Sequence, residues 1–249
     1  LLKEADRAEE AEGWYRRAAE QDDVSAMFNL GVLLAQAGHT RKAEAWYRKA
    51  AEQDDTHAMV NFGRLMEEAG RAEEAENWYQ RAAEQDDTHA MVNLGTLMEE
   101  ADRAEEAEGW YRRAAEQDDV SAMFNLGLLL SKVGCTEEAE PWLRKAAERG
   151  DADAMAVLAL LLLLSDRAEE ASPWLRQAAD AGDTNAMFFL GAQLEEAGQE
   201  EEAEAWYRKA AQQGDTRAMN NLGDLLAETG RVEEAEAWRQ RIQEIEGAE

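Results

Sequence analysis

Apolar residues fall into short stripes at helical spacing, separated by polar breaks. In residues 56–87, Met59, Phe62 and Met66 stand three and four positions apart, and Ala75, Tyr79 and Ala82 stand four and three apart. Each spacing predicts one face of an amphipathic helix. Between the stripes, Ala69-Gly70 supplies a helix stop, because glycine takes the left-handed conformation that ends a helix. After the second stripe comes Gly-Asp at 150–151, 182–183 and 214–215, or Asp-Asp at 54–55 and 86–87. These residues end one helix and offer an aspartate cap to the next. The whole helix-turn-helix pattern recurs. Tryptophan stands at 14, 46, 78, 110, 142, 174, 206 and 238, and every interval is 32. A fixed period of this size marks stacked supersecondary units, none of which can bury its own stripe alone.

Charge along the second helix suits the helix dipole. Glu73 and Glu74 open it, and Arg48 and Lys49 close its equivalent one repeat earlier. Glu44–Arg48, Glu108–Arg112 and Glu204–Arg208 are i,i+4 pairs of the favourable orientation. These charge runs read as a solvated face. Residues 1–22 read as a partial repeat, the end of a first helix followed by a complete second helix. Residues 23–249 read as seven 32-residue repeats with a C-terminal capping helix, where Arg239 replaces the expected tyrosine and Ile242 the expected alanine. Because the sequence opens with Leu1 inside a repeat, the natural start is expected upstream and the C-terminus is expected to be native. Residues 5–31 and 101–127 are identical over 27 positions, which points to a recent duplication.

Met27-x2-Leu30-Gly31-x2-Leu34, followed by Ala43-x3-Tyr47 and Ala50, resembles the tetratricopeptide pattern of large residue, Leu-Gly, aromatic and alanine. The run from Trp206 to Asp215 is more similar to the Sel1-like branch of that superfamily. The repeats are two residues shorter than the usual length of about 34 and lack the proline expected after the second helix. The resemblance implies an all-α chain, a right-handed α-solenoid of stacked antiparallel helix-turn-helix repeats. It also implies that the first helices line a concave surface where a protein or peptide binds.

The residues expected on that surface flank the Leu-Gly pair: Phe28, Val60, Val92, Phe124, Ala156, Phe188 and Asn220 before it, and Val32, Arg64, Thr96, Leu128, Leu160, Ala192 and Asp224 after it. Beside them runs a ladder of Asn29, Asn61, Asn93, Asn125 and Asn221. Asparagine carries both donor and acceptor, so the ladder could grip an extended peptide backbone or join neighbouring repeats. The ladder breaks after Ala152: Val157 replaces Asn, Ala159 replaces Gly, Leu160 to Leu164 are consecutive leucines, and Phe189 follows in the next repeat. Phe124, Leu128, Val157, Leu160, Leu164, Phe188 and Phe189 are therefore expected to form either an interface patch or buried core. Glu67, Glu68, Glu99, Glu100, Glu195 and Glu196, at the ends of the first helices, would surround such a patch with acid. The expected partner is then a protein or peptide with apolar anchors and basic flanks. A repeated clamp of lysines and arginines for a terminal carboxylate is missing, with only Arg64 and Arg217 nearby.

Composition narrows the possibilities. A net charge of −29 argues against nucleic acid or an anionic membrane as partner. The lone Cys135 excludes an internal disulfide or a cysteine-based zinc site and fits a reducing, cytoplasmic setting. The longest apolar stretch, 154–164, falls short of the roughly 20 residues that span a bilayer. His57 and His89 are copies of one repeat position, and His39 sits in a turn. Neither these nor Cys135 form a catalytic or metal motif, and no P-loop or dinucleotide fingerprint is present, so no cofactor and no enzyme activity is expected. Two alternatives to partner binding remain: self-assembly, such as a homodimer, through the apolar repeat 152–183, and a sensor portion of a larger protein with an upstream effector domain.

Overall fold

The computed structural model describes residues 2–247, with side chains from Glu10 onward except that of Glu246. Among the described residues there are fifteen helices and no strand. A helix α1 (Leu2–Ala19) is followed by pairs: α2 and α3 (Val24–Gln36, Thr40–Ala51), α4 and α5 (Thr56–Glu68, Ala72–Ala83), and α6 and α7 (Thr88–Glu100, Ala104–Ala115). Then come α8 and α9 (Val120–Lys132, Thr136–Glu148), α10 and α11 (Ala152–Leu164, Ala168–Asp180), α12 and α13 (Thr184–Glu196, Glu200–Gln212), and α14 and α15 (Thr216–Glu228, Val232–Glu246). The chain divides into two compact units, residues 1–122 and 123–249. In the first unit α1 to α7 each pack on the next, and in the second α9 to α15 do so, which is the stacking of an α-solenoid.

The turns follow from the breaks in the pattern. Asp55, Asp87, Asp151, Asp183 and Asp215 each cap a first helix, the carboxylate accepting the backbone amide three residues on at 2.6–2.9 Å. The residue before the cap is left-handed, with Gly150 and Gly214 at φ +92° and +97° and Asp54 and Asp86 at +64° and +63°. Asp102 and Asp166 hold the same conformation in the turn inside a pair, where other repeats use glycine. Residues 5–7 lie within α1, whereas the identical 101–103 span the turn from α6 into α7.

The Leu-Gly glycine marks where the two helices of a pair touch. A Cβ on Gly63 would stand 2.6 Å from Cε1 of Tyr79, and one on Gly31 or Gly95 would meet Tyr47 or Tyr111 as closely. Those tyrosines are fully buried. In α10 the glycine is Ala159, and the residue opposite it in α11 is Leu175 rather than tyrosine; both are buried, at 0% and 1% exposure. Leucine opposite does not by itself open space for that methyl group, because a Cβ on Gly127 would stand 2.6 Å from Cγ of Leu143 in α9.

The charge runs differ from the solvated face expected of them. Arg103 at the start of α7 donates to Glu106 in its own helix at 2.8 Å and to Glu76 of α5 at 2.9 Å. Arg71, Arg167 and Arg231 make the same double bond, to Glu44, Glu140 and Glu204 of the preceding second helix. The exposed charges thus clip one repeat to the next. Those hydrogen bonds raise the guanidinium pKa of each arginine and hold Glu106, Glu140 and Glu170 below the usual carboxylate range.

Candidate partner-binding grooves

The first helices present the same four positions to a groove in each unit. In residues 1–122 a cavity of about 480 Å³ is bounded by His57, Val60, Asn61 and Arg64 of α4, by Asp87, His89, Val92 and Asn93 of α6 and its cap, and by Asp119 and Ser121. Its lining residues are polar or charged except Val60 and Val92. Arg64 is tied to Glu68 at 2.7 Å, and the Asp87 carboxylate caps α6.

In residues 123–249 a cavity of about 400 Å³ has an apolar floor, with Phe124 and Leu128 from α8, Val157 and Leu160 from α10, and Phe189 from α12. Five residues of the expected patch meet there. Phe188 lies beside them, its ring 5.2 Å from Phe189 and 6.1 Å from Tyr207. Leu164 extends the same helix face beyond the cavity and is 80% exposed, while Leu160 is 40% exposed. Of the consecutive leucines, Leu161 and Leu162 point into the core, so α10 supplies both core and surface.

The asparagine ladder divides. Asn221 donates to the Tyr207 hydroxyl at 3.0 Å, joining α14 to α13 and serving the stack. Asn61 donates to the His57 carbonyl of its own helix at 3.1 Å. Asn93 lines the polar cavity, and Asn29 and Asn125 are half-buried in their helices. The acidic rim is thinner than the sequence suggests, because buried tyrosines recruit its members. Tyr79 donates to Glu67 at 2.7 Å and Tyr207 to Glu195 at 2.7 Å, and Tyr111 reaches Glu99 at 3.3 Å. Burial, reinforced by the carboxylate, raises each phenol; Tyr111 is pushed up to about 12.

Two features are not foreseen in the sequence reading. One is the column Ser25, His57, His89, Ser121, Asp153, Asn185 and Arg217, the second residue of each first helix, exposed in every repeat and lining both cavities from His57 onward. The copied histidines were the visible signal for it. Arg217 ends this column with its guanidinium 4.6 Å from the Phe188 ring centre, donating to Asn185 at 2.6 Å and paired with Asp215. Burial alone would raise the Asp215 carboxyl, but Arg217 and the Ala218 amide hold it below the usual carboxylate range. The other is a cation over each of several tryptophans: Lys49 on Trp46, Arg81 on Trp78, Lys145 on Trp142 and Lys209 on Trp206, at 3.7–4.5 Å. That contact explains why the tryptophan recurs three residues before a basic one.

A tetratricopeptide-repeat family model matches residues 1–58, 60–122 and 213–248. The chain belongs to the tetratricopeptide-repeat family. Within this tetratricopeptide-repeat protein, further models of the family match 120–149 and 152–177, and the Sel1-repeat model matches 173–183 and 184–215. Comparison with curated proteins found no match. Among solved structures, the chain is similar to a protective antigen of uropathogenic Escherichia coli with an SLR fold, at 30% identity and TM-score 0.78. That match covers 92% of this chain and 55% of the antigen, so the chain spans about half of that structure's length. It is also similar to a Sel1 repeat protein from Oxalobacter formigenes, at 28% identity and TM-score 0.69 over 88% of this chain and 99% of that one. A tetratricopeptide protein with an unusual peptide-binding site shares the fold at 24% identity, with TM-score 0.52 over 68% of this chain and 92% of that one. Repeats of these two kinds generally serve as non-enzymatic scaffolds for protein–protein interaction. Among the described residues, no helix is long and apolar enough to cross a membrane.

Proposed function

We propose that this tetratricopeptide-repeat protein binds a protein or peptide segment along the grooves of its first helices. Apolar anchors of the partner enter the floor of Phe124, Leu128, Val157, Leu160 and Phe189, and a basic flank meets the acid of the rim. The observation that carries this reading is a contrast between columns. The methionine position of the stack does not change: every repeat has Met at 27, 59, 91, 123, 155, 187 and 219. The second residue of each first helix, which faces the grooves, changes at nearly every step, through His57, His89, Ser121, Asp153, Asn185 and Arg217. Exposure alone does not cause that variety, because the exposed pairs Glu73-Glu74, Glu105-Glu106, Glu169-Glu170 and Glu233-Glu234 are identical. A surface that differs from repeat to repeat on a uniform frame suits reading one partner residue after another.

The test is selection from a phage-displayed library of random peptides, run in parallel on the native protein and on Leu160→Asp/Phe189→Asp, with retained helicity checked by circular dichroism. Peptides enriched by the native protein and not by the variant support the groove. Equal enrichment by both contradicts it.

One observation favours a second reading. Leu160 and Leu164 share one face of α10, and Leu164 is 80% exposed, which suits a homodimer formed by that helix with its copy. Light scattering over a concentration series decides it: a dimer lost in Leu164→Asp supports self-association, and a monomer at every concentration refutes it.

A further inference from the structure

Asp153, Asn185 and Arg217 occupy one column on successive first helices α10, α12 and α14, and all three are exposed along one edge of the apolar cavity. The charges around them are largely committed. Asp183 and Asp215 accept the Ala186 and Ala218 amides as helix caps. Arg217 uses Nε and Nη2 on Asp215 and Asn185, which leaves its Nη1 donors without a protein partner. Asp153 makes no hydrogen bond or ion pair among the described residues. The edge therefore carries an unpaired carboxylate at one end, an amide in the middle and an unpaired pair of guanidinium N–H groups at the other. The Arg217 guanidinium is held by those bonds and stands 4.6 and 5.9 Å from the ring centres of Phe188 and Phe189. A guanidinium fixed in this way suits a carboxylate approaching its open side.

We propose that the groove of residues 123–249 reads charge direction as well as apolar shape: it takes a peptide segment in which a basic side chain, apolar anchors and an acidic side chain follow in order, the basic one at Asp153 and the acidic one at Arg217. This rests on the groove being a peptide site at all. Two helix-packing steps of about 10 Å separate the ends. At about 3.3 Å per extended residue, roughly six residues of the partner bridge them. Val157 and Phe189, the neighbouring column, lie beneath the anchors between the two charges. The order of charges also sets the direction in which the partner lies, since the reversed segment would place acid on Asp153 and base on Arg217.

The experiment uses the full chain and a phage-displayed library of random peptides about twelve residues long, followed by fluorescence anisotropy on the best synthetic peptide. The native protein is expected to enrich base–apolar–acid segments. Asp153→Lys and Arg217→Glu are each expected to weaken the best peptide about three- to tenfold, as partly exposed ion pairs do. Each is also expected to be rescued by reversing only the peptide charge that faces it. Enrichment that disappears in Leu160→Asp/Phe189→Asp yet is unchanged in both charge variants overturns the directional reading and leaves the groove as a peptide site. No enrichment by the native protein overturns both.

Discussion

Replacing Gly63 by alanine isolates the contact that spaces the two helices of a repeat. Helix propensity alone favours alanine by about 1 kcal/mol. The new Cβ, however, would stand 2.6 Å from Cε1 and 2.8 Å from Cδ1 of Tyr79. That ring is fully buried, and its hydroxyl is tethered to Glu67 at 2.7 Å, so it cannot give way cheaply. Overpacking of this kind costs about 1–3 kcal/mol, and the expected net loss is about 1–2 kcal/mol. For a chain of this length that corresponds to a melting temperature lower by roughly 3–6 °C. Tyr79→Leu alone leaves a cavity and abandons a hydrogen bond, with an expected loss of about 2–4 kcal/mol. Tyr79→Leu recreates the Gly127–Leu143 pair of α8 and α9, where a Cβ on the glycine would stand 2.6 Å from Cγ of the leucine, so adding Gly63→Ala is expected to lower stability further. Gly223→Ala is the control: the nearest atom to its Cβ is the Ala235 carbonyl oxygen at 3.7 Å, so the change is expected to be neutral or slightly stabilising. Melts followed by far-UV circular dichroism measure all four. Gly63→Ala as stable as Gly223→Ala, or a double variant more stable than Tyr79→Leu, would refute the reasoning.

Asp102→Gly/Asp166→Gly, at φ +58° and +57°, is expected to stabilise the chain by about 1 kcal/mol per site in urea melts, as other repeats already use glycine there. High pH is expected to destabilise the fold. The buried tyrosines ionise later in the folded chain than in the unfolded one, so their contribution is complete below about pH 10. It falls as pH rises through the folded value of Tyr111, about 12, and melts across that window should steepen less in Tyr111→Phe. Arg103→Ala removes the clip from α7 to α5, and a lowered melting temperature whose deficit shrinks in added salt is the expected result.

Much of the stacking is legible in the sequence because it depends on position alone. The 32-residue tryptophan interval gives the unit, stripes such as Met59, Phe62 and Met66 give the helix faces, and Gly-Asp or Asp-Asp gives the turns. What the sequence conceals are couplings between residues far apart along it. Arg103 and Glu76 are 27 positions apart and look like members of separate solvated faces until the repeats stack. Glu67 looks like a free rim acid until Tyr79, 12 residues on, folds beneath it. At the candidate site, the floor residues are identifiable from periodicity, but Asp153 and Arg217 are not. Their column varies in type, and only the packing of first helix on first helix brings the members to one edge.

The claim that a partner lies on the first helices is tested most directly by site-specific photo-crosslinking. Benzoylphenylalanine is placed at Ala156, in the groove, or at Ala205, exposed on a second helix, and irradiated with the best library-selected peptide. Crosslinking at 156 and not at 205 is the expected result. Crosslinking at 205 and not at 156 would contradict the account.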